Sequence, residues 1–461
     1  MTLAHTFHNS ILREYDVRGT IDETLSTADA IALGRAFGTR VRREGGSHVA
    51  IGRDGRLSSP AMAAALTEGL NSVGVDVTDI GLCPTPELYF ATYHLPTDAG
   101  IMVTGSHNPP NMNGFKMMLS GKAFFGPDIT ELGEIAAAGA FASGNGQAKE
   151  KSIAEAYVSA VVDAYDSDRE FSIVWDCGNG AAGAVLDDIL SRLPGRHVVL
   201  FGDVDGTFPN HHPDPTVPKN LEDLINTVKG VGADFGIGFD GDGDRIGVVD
   251  GEGEILFGDQ IVLLLARDLL QDMPGSTIIA DVKASKVLFD GIAEAGGKPE
   301  MFKTGHSLIK ARMAEVKSPL AGEMSGHIFF ADKWYGFDDA LYVAVRFMAM
   351  AARSSQSVTE MNRALPQVMN TPELRFDCPD EQKFQVVADV CQRLRDAGAN
   401  MSDVDGARVN TDDGWWLLRA SNTQPVLVAR CEAETEQGLR RLKDALAAQL
   451  RESGLEPPAD L

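Results

Sequence analysis

Cysteine is scarce in this chain: Cys83, Cys177, Cys378, Cys391 and Cys431 are the five in 461 residues, odd in number and without a C-x-x-C pair. That pattern excludes a disulfide framework and a multi-cysteine zinc site, and a reducing cytoplasm is the expected setting. Long apolar runs are missing as well. The best stretches, 261–266 and 341–352, fall short of the roughly 20 residues a bilayer helix needs, and Arg346 interrupts the second. The first residues lack the basic start and apolar middle of a secretory signal, so neither export nor a membrane partner is expected. Positive charge is in deficit, with 41 Lys and Arg against 66 Asp and Glu, for a net charge of −25. A field of that sign argues against nucleic acid as a partner.

What remains is an ordinary globular composition, 44% hydrophobic and 23% charged, with enough apolar residues for several cores. Length alone, at roughly 150 residues per domain, gives about three domains. Strand-like runs at Val49-Ala50-Ile51, Ile173-Val174-Trp175 and Thr277-Ile278-Ile279-Ala280 each enter a polar turn and then helix-like sequence. This predicts three similar α/β units. The stretch 136–151, small and polar, reads as a linker into a helix beginning near Ile153. From about Glu373 the pattern changes to strand, helix (381–397), strands near Ala407, Trp415 and Val426, and a terminal helix (434–450), an α+β unit. The expected boundaries are 1–150, 151–252, 253–368 and 369–461.

Two loops carry chemistry. Thr104-Gly105-Ser106-His107-Asn108-Pro109 follows the apolar run Ile101-Met102-Val103, so a strand ends in a turn that offers the Ser106 hydroxyl. Asp240-Gly241-Asp242-Gly243-Asp244-Arg245 lies between two strand-like runs. Three carboxylates two residues apart repel one another, and a hard divalent cation relieves this while the glycines let alternate side chains converge. A calcium EF-hand is excluded, because its sixth position would be Arg245 and its twelfth Gly251, and strands flank the loop in place of helices. Magnesium, which leaves coordination positions for phosphate oxygens, fits better. An anionic substrate on so acidic a chain then requires a local gathering of cations. Arginines and lysines drawn from distant parts of the sequence would suit this, gathered in a cleft between domains.

A third pattern points elsewhere. Gly178, Gly180 and Gly183 form G-x-G-x-x-G after a strand-like run, with Asp203 near the position of a ribose-binding acid. On its own this describes a dinucleotide-binding oxidoreductase. That reading leaves the serine loop and the three aspartates without a role, and a tight strand-to-helix crossover accounts for the glycines.

The ordered blocks Tyr15-Asp16-Val17-Arg18-Gly19, the Ser106 loop with Lys116, the Asp240 loop, Gly322-Glu323-Met324-Ser325-Gly326-His327 and Arg419-Ala420-Ser421-Asn422-Thr423 resemble the alpha-D-phosphohexomutases, specifically their phosphomannomutase/phosphoglucomutase branch. The resemblance spans nearly the whole chain. It implies three similar α/β domains with mixed sheets sandwiched by helices, plus a smaller C-terminal α+β domain, around a central cleft. It implies reversible transfer of phosphate between C1 and C6 of a mannose or glucose phosphate, through phosphorylated Ser106 and a 1,6-bisphosphohexose. Magnesium would be held by Asp240, Asp242, Asp244 and the Ser106 phosphate, with glucose 1,6-bisphosphate or an equivalent as activator.

Arg245 would steady the phosphoserine and His107 orient it. Lys116 would assist proton transfer at the sugar hydroxyl, with Arg18 and His327 as rivals. Glu323 and Ser325 would meet the sugar hydroxyls, and Arg419, Ser421, Asn422 and Thr423 the distal phosphate. Tyr15, Lys283 and His306 would also contact substrate. The partner is a small phosphosugar; nothing in the sequence specifies an oligomeric state, and a monomer is consistent with it. Met324 stands where phosphoglucosamine mutases usually carry glutamine, which favours a hexose over the amino sugar. A non-catalytic phosphosugar-binding protein would not need the serine and aspartates together, and a phosphatase would release inorganic phosphate.

Overall fold

The computed structural model describes residues 4–422, 424–458 and 461, arranged around four β-sheets. Three of the sheets repeat one unit. In space, each has an antiparallel strand beside three parallel ones, and the parallel strands lie in the order third, first, second along the chain. In the first sheet these are Met112–Leu119, Ala99–Val103, His48–Arg53 and Asp76–Leu82. In the second they are Ile246–Asp250, Phe235–Phe239, Phe171–Asp176 and Gly195–Leu200. In the third they are Ile328–Phe330, Leu320–Gly322, Thr277–Asp281 and Lys298–Phe302. The three apolar runs noted in the sequence are the central strand of each unit, buried on both faces by crossover helices. The fourth sheet is all antiparallel and carries the helices Asp380–Asp396 and Glu436–Glu452, completing three α/β units and one α+β unit.

One stretch differs from expectation. Residues Ala148–Glu150, read as linker, form a strand parallel to Asp76–Leu82 at the sheet edge. All three side chains are exposed, so the segment carries no apolar alternation that sequence could register.

A single apolar cluster runs from Ala50 of the first unit through Trp175 of the second to Phe347 of the third. The helix Ala340–Arg353 is its centre, with every residue from Ala340 to Ala351 buried. Arg346 is tolerated there because Asp332 accepts two hydrogen bonds from its guanidinium, at 2.9 and 2.8 Å. Among the described residues no helix is long and apolar enough to cross a membrane.

The C-terminal sheet clasps the loop after Thr277–Asp281. Arg408 donates to the carbonyls of Val282 (2.6 Å) and Ala284 (2.7 Å), and Arg430 donates to that of Lys283 (2.6 Å). The Arg408 guanidinium stacks 3.6 Å over Trp415, whose indole donates to Glu432 at 2.8 Å. These long-range pairs bind the small unit to the third α/β unit through buried guanidinium groups.

Candidate active site

Because the three α/β units share a topology, their functional loops are equivalent. Each joins the last parallel strand to the antiparallel one: Ser106 follows Ala99–Val103, Asp240 to Arg245 follow Phe235–Phe239, and Glu323 to His327 follow Leu320–Gly322. Ligands of α/β sheets gather at such carboxyl ends of strands. Arg419 ends the strand Gly414–Ala420 of the fourth sheet, so one cleft of about 440 Å³ is bordered by all four units.

Ser106 sits in the left-handed region, φ 50°, a conformation a serine holds only when its surroundings impose it. Its amide donates to Thr104 Oγ1 at 2.9 Å. Arg56, 1% exposed, donates to the carbonyls of Ser106 and Asn108 (2.6 Å each), Pro109 (2.5 Å) and Met112 (3.0 Å). Asp54 fixes that guanidinium at 3.1 Å and also accepts from Gly105 N and Thr104 Oγ1. So braced, the Ser106 hydroxyl lies 3.0 Å from Asp240 Oδ2 and 3.2 Å from His107 Nδ1. Burial, with Arg245 and Arg18 nearby, pushes the His107 imidazole well below its usual range, leaving it neutral.

Asp240, Asp242 and Asp244 lie under the cleft floor, fully buried, each offering an oxygen within 4.8 Å of the others. Asp240 Oδ1 accepts from the amides of Gly243, Asp244 and Arg245, which curls the loop so that the side chains converge. Burial first, then repulsion from Asp242 and Asp244, raises the Asp240 carboxyl well above its ordinary value. Among the described residues Oδ1 of Asp242 and of Asp244 has no hydrogen-bond partner, so this all-oxygen donor set fits a hard divalent cation. Lys116 Nζ donates to Asp242 at 2.7 Å and to Asp244. Burial opposes its charge, but these carboxylates prevail and hold the ammonium above its usual range.

Around the walls, Arg18 binds Asp16 (2.5 Å) and the Gly105 carbonyl (3.1 Å). Arg245 Nε donates to His327 Nε2 at 2.8 Å, and His327 Nδ1 lies 2.9 Å from Asp338. His306 stacks on His327, with centroids 5.3 Å apart. Glu323 accepts from Gly305 N at 2.6 Å and lies 3.5 Å from the Ser325 hydroxyl. Lys283 pairs with Glu373 at 3.0 Å, and Arg419 with Asp405 at 2.9 Å. Tyr15 donates to the Thr304 carbonyl (2.8 Å) and accepts from Asn422 (2.5 Å), joining the first, third and fourth units. Ser421 accepts from Gln424 N at 3.2 Å. Thr423 lies outside the described residues. Every other site residue expected from the sequence borders this cleft or lies beneath it.

Sequence reasoning missed the bracing groups Asp54, Arg56, Asp338, Asp405 and Glu373. Asp54 and Arg56 had a signal in the polar turn closing His48–Arg53; the others become partners only through folding. The G-x-G-x-x-G stretch is a crossover: Gly183 opens the helix Gly183–Leu190, and a Cβ there would stand 2.0 Å from the Gly202 carbonyl.

A hydroxyl on a braced loop, an acidic loop beneath it and cations converging from four units define an enzyme of phosphoryl transfer. Models of the phosphoglucomutase/phosphomannomutase family match in order: alpha/beta/alpha domain I over residues 9–142, domain II over 155–253, domain III over 257–369, and the C-terminal domain over 373–449. The phosphomannomutase/phosphoglucomutase of Pseudomonas putida is 44% identical over 443 residues, 96% of each chain. A phosphoglucomutase of Neisseria meningitidis is 41% identical over 442 residues, 95% of this chain and 96% of that one. The crystal structure of a phosphoglucomutase/phosphomannomutase family protein from Burkholderia thailandensis has a TM-score of 0.92 at 42% identity, covering 97% of this chain and 98% of that one. The chain belongs to the phosphoglucomutase/phosphomannomutase family of phosphohexomutases.

Proposed function

We propose that this enzyme moves a phosphate between C1 and C6 of glucose or mannose, with Ser106 as the phosphate carrier. The observation that carries this is the Ser106 hydroxyl 3.0 Å from Asp240 on a loop from another unit, facing a cleft that also holds Arg18, Arg245, Lys283 and Arg419. In the first half, the bond from phosphorus to the Ser106 oxygen breaks as the sugar hydroxyl forms its own, giving a 1,6-bisphosphohexose. In the second, the turned-over sugar returns its other phosphate to Ser106.

Lys116, kept protonated by Asp242 and Asp244, is suited to neutralise the departing serine oxygen and give it a proton. His327 accepts the Arg245 Nε–H; when Arg245 turns to a phosphate, Nε2 is freed to take the proton of the attacking hydroxyl. Glu323 and Ser325 bind ring hydroxyls that superimpose after the sugar turns over, which relaxes discrimination at C2. Arg419, with Ser421, Asn422 and Thr423, grips the distal phosphate, helped by Tyr15, Lys283 and His306. Asp240, Asp242 and Asp244 would hold magnesium, which supplies charge neutralisation to the phosphate on Ser106. Glucose 1,6-bisphosphate would prime the serine. Five free, buried cysteines support a cytoplasmic setting.

The test is peptide mass spectrometry after incubation with glucose 1,6-bisphosphate, followed by assays on mannose 1-phosphate and glucose 1-phosphate. One phosphate on the Ser106 peptide, isomerisation of either sugar and no release of inorganic phosphate are expected. An unmodified serine with neither sugar converted overturns the proposal.

A further inference from the structure

Arg56, which braces the Ser106 loop, spends every N–H in the plane of its guanidinium. Nε donates to Asp54, one terminal nitrogen to the carbonyls of Pro109 and Met112, and the other to those of Ser106 and Asn108. The faces of the group are left to packing. One face is covered from the second unit, where the centroid of the Phe208 ring lies 5.2 Å from the guanidinium carbon. An aromatic ring attracts a cation placed over it, most strongly where water is excluded, and Arg56 is almost wholly buried.

The loop that delivers this ring is built on the glycine-rich crossover. Asn179, between Gly178 and Gly180, adopts φ 59° and serves as its hub. The Asn179 amide donates to the Phe201 carbonyl (3.0 Å) and its side-chain nitrogen to that of Asp203 (2.8 Å). Its carbonyl accepts from Asp205 N (3.0 Å) and its side-chain oxygen from Asn210 (2.8 Å). At the tip two glycines let the backbones of the first and second units touch: a Cβ on Gly206 would stand 2.3 Å from Arg56 Cα, and one on Gly55 2.2 Å from Val204 Cγ1. Phe208 itself holds φ 49°, a left-handed conformation that an aromatic residue keeps only where its surroundings impose it. Packing alone would be met by any apolar side chain on a relaxed backbone; this strained one aims a ring at a cation. We propose that Phe208 is a positioning residue for phosphate transfer, holding the Arg56 guanidinium in the plane from which it fixes the Ser106 turn. Phe208 does not line the cleft, so it acts through Arg56 alone. The second unit, which carries the three aspartates, thereby also sets the hydroxyl of the first. This rests on the mutase reading above.

Three replacements separate attraction from packing. Phe208→Leu keeps the apolar bulk, Phe208→Tyr keeps the electron-rich face, and Phe208→pentafluorophenylalanine keeps the shape while reversing the charge of that face. Each is measured for melting temperature, for KM and kcat with glucose 1-phosphate, and by rapid quench for transfer from phosphorylated Ser106 to that sugar. Transfer and kcat should fall about tenfold in the leucine and fluorinated variants, with KM within about twofold of the unsubstituted enzyme. The tyrosine variant should stay within about twofold throughout. Unchanged transfer in the leucine or fluorinated variant, a tyrosine variant as slow as the leucine one, or a loss that shows in KM overturns the role. If Phe208→Leu does not fold, the fluorinated variant decides. An unsubstituted enzyme that takes no phosphate on Ser106 overturns the mutase reading and this role with it, and that is seen before any variant is made.

Discussion

Arg56 and Ser106 are joined by a 2.6 Å hydrogen bond from guanidinium to carbonyl, fifty positions apart in the chain, with Arg56 buried to 1% exposure. The serine's left-handed backbone is held by this arginine and by Asp54 behind it. Arg56→Ala leaves the buried Asp54 without its counter-charge, and should cost about 3–5 kcal/mol of apparent stability. Arg56→Lys should not restore turnover, since one ammonium cannot reach four carbonyls in the directions a guanidinium does. Denaturant melts alongside turnover check this; a fully active lysine variant refutes it.

Metal removal should separate stability from activity. Lys116 already bridges Asp242 and Asp244, so the loop retains a counter-charge when a chelator strips divalent ions. Turnover should fall on the order of a hundredfold or more while the melting temperature shifts little. Adding back magnesium should restore the rate. In Lys116→Met the same chelation should lower the melting temperature markedly, because three buried carboxylates then face one another alone.

Arg419→Ala should raise KM by one to two orders of magnitude with a smaller change in kcat, the loss expected of a bidentate anion contact. Asp405→Asn should give a milder rise, because Asp405 aims the guanidinium from 2.9 Å and does not itself line the cleft. Equal losses in kcat and kcat/KM would instead place Arg419 at the reacting centre.

Glu87 sits in the first turn of the helix Thr85–His94, 2% exposed, with Oε2 unpartnered among the described residues. Burial pushes its carboxyl up to about 8 from an ordinary 4.5. The folded state therefore keeps a proton that the unfolded chain releases. This contribution to stability is present in full below pH 4.5 and is lost as pH rises to 8. Glu87→Gln should leave the melting temperature near pH 5 unchanged and raise it near pH 8. A variant with the same pH slope as the parent disproves the assignment.

The sequence carried what is local. Three apolar runs, each closed by a polar turn, marked the central strands, and the spacing of Asp240, Asp242 and Asp244 announced convergence because glycines separate them. The Ser106 turn was visible for the same reason. Groups acting at long range were silent. The polar turn that holds Arg56 was visible, but not that its guanidinium would meet four carbonyls of a loop half a hundred residues away. Asp338 and Asp405 meet His327 and Arg419 only when their own units fold, and Glu373 meets Lys283 only once the third and fourth units come together. The edge strand Ala148–Glu150 was invisible because its residues face solvent and its order comes wholly from backbone pairing with Asp76–Leu82.

Arg408 grasps the carbonyls on either side of Lys283 and Arg430 that of Lys283 itself, while Arg419 sits on the strand next to the one that carries Arg430. The guanidinium proposed to meet the distal phosphate and the lysine proposed to help it thus share one handle. A rotation of the small C-terminal unit cannot loosen Arg419 without pulling on the Lys283 loop, so on the proposed reading the far end of the sugar would be released in a single stroke instead of finger by finger.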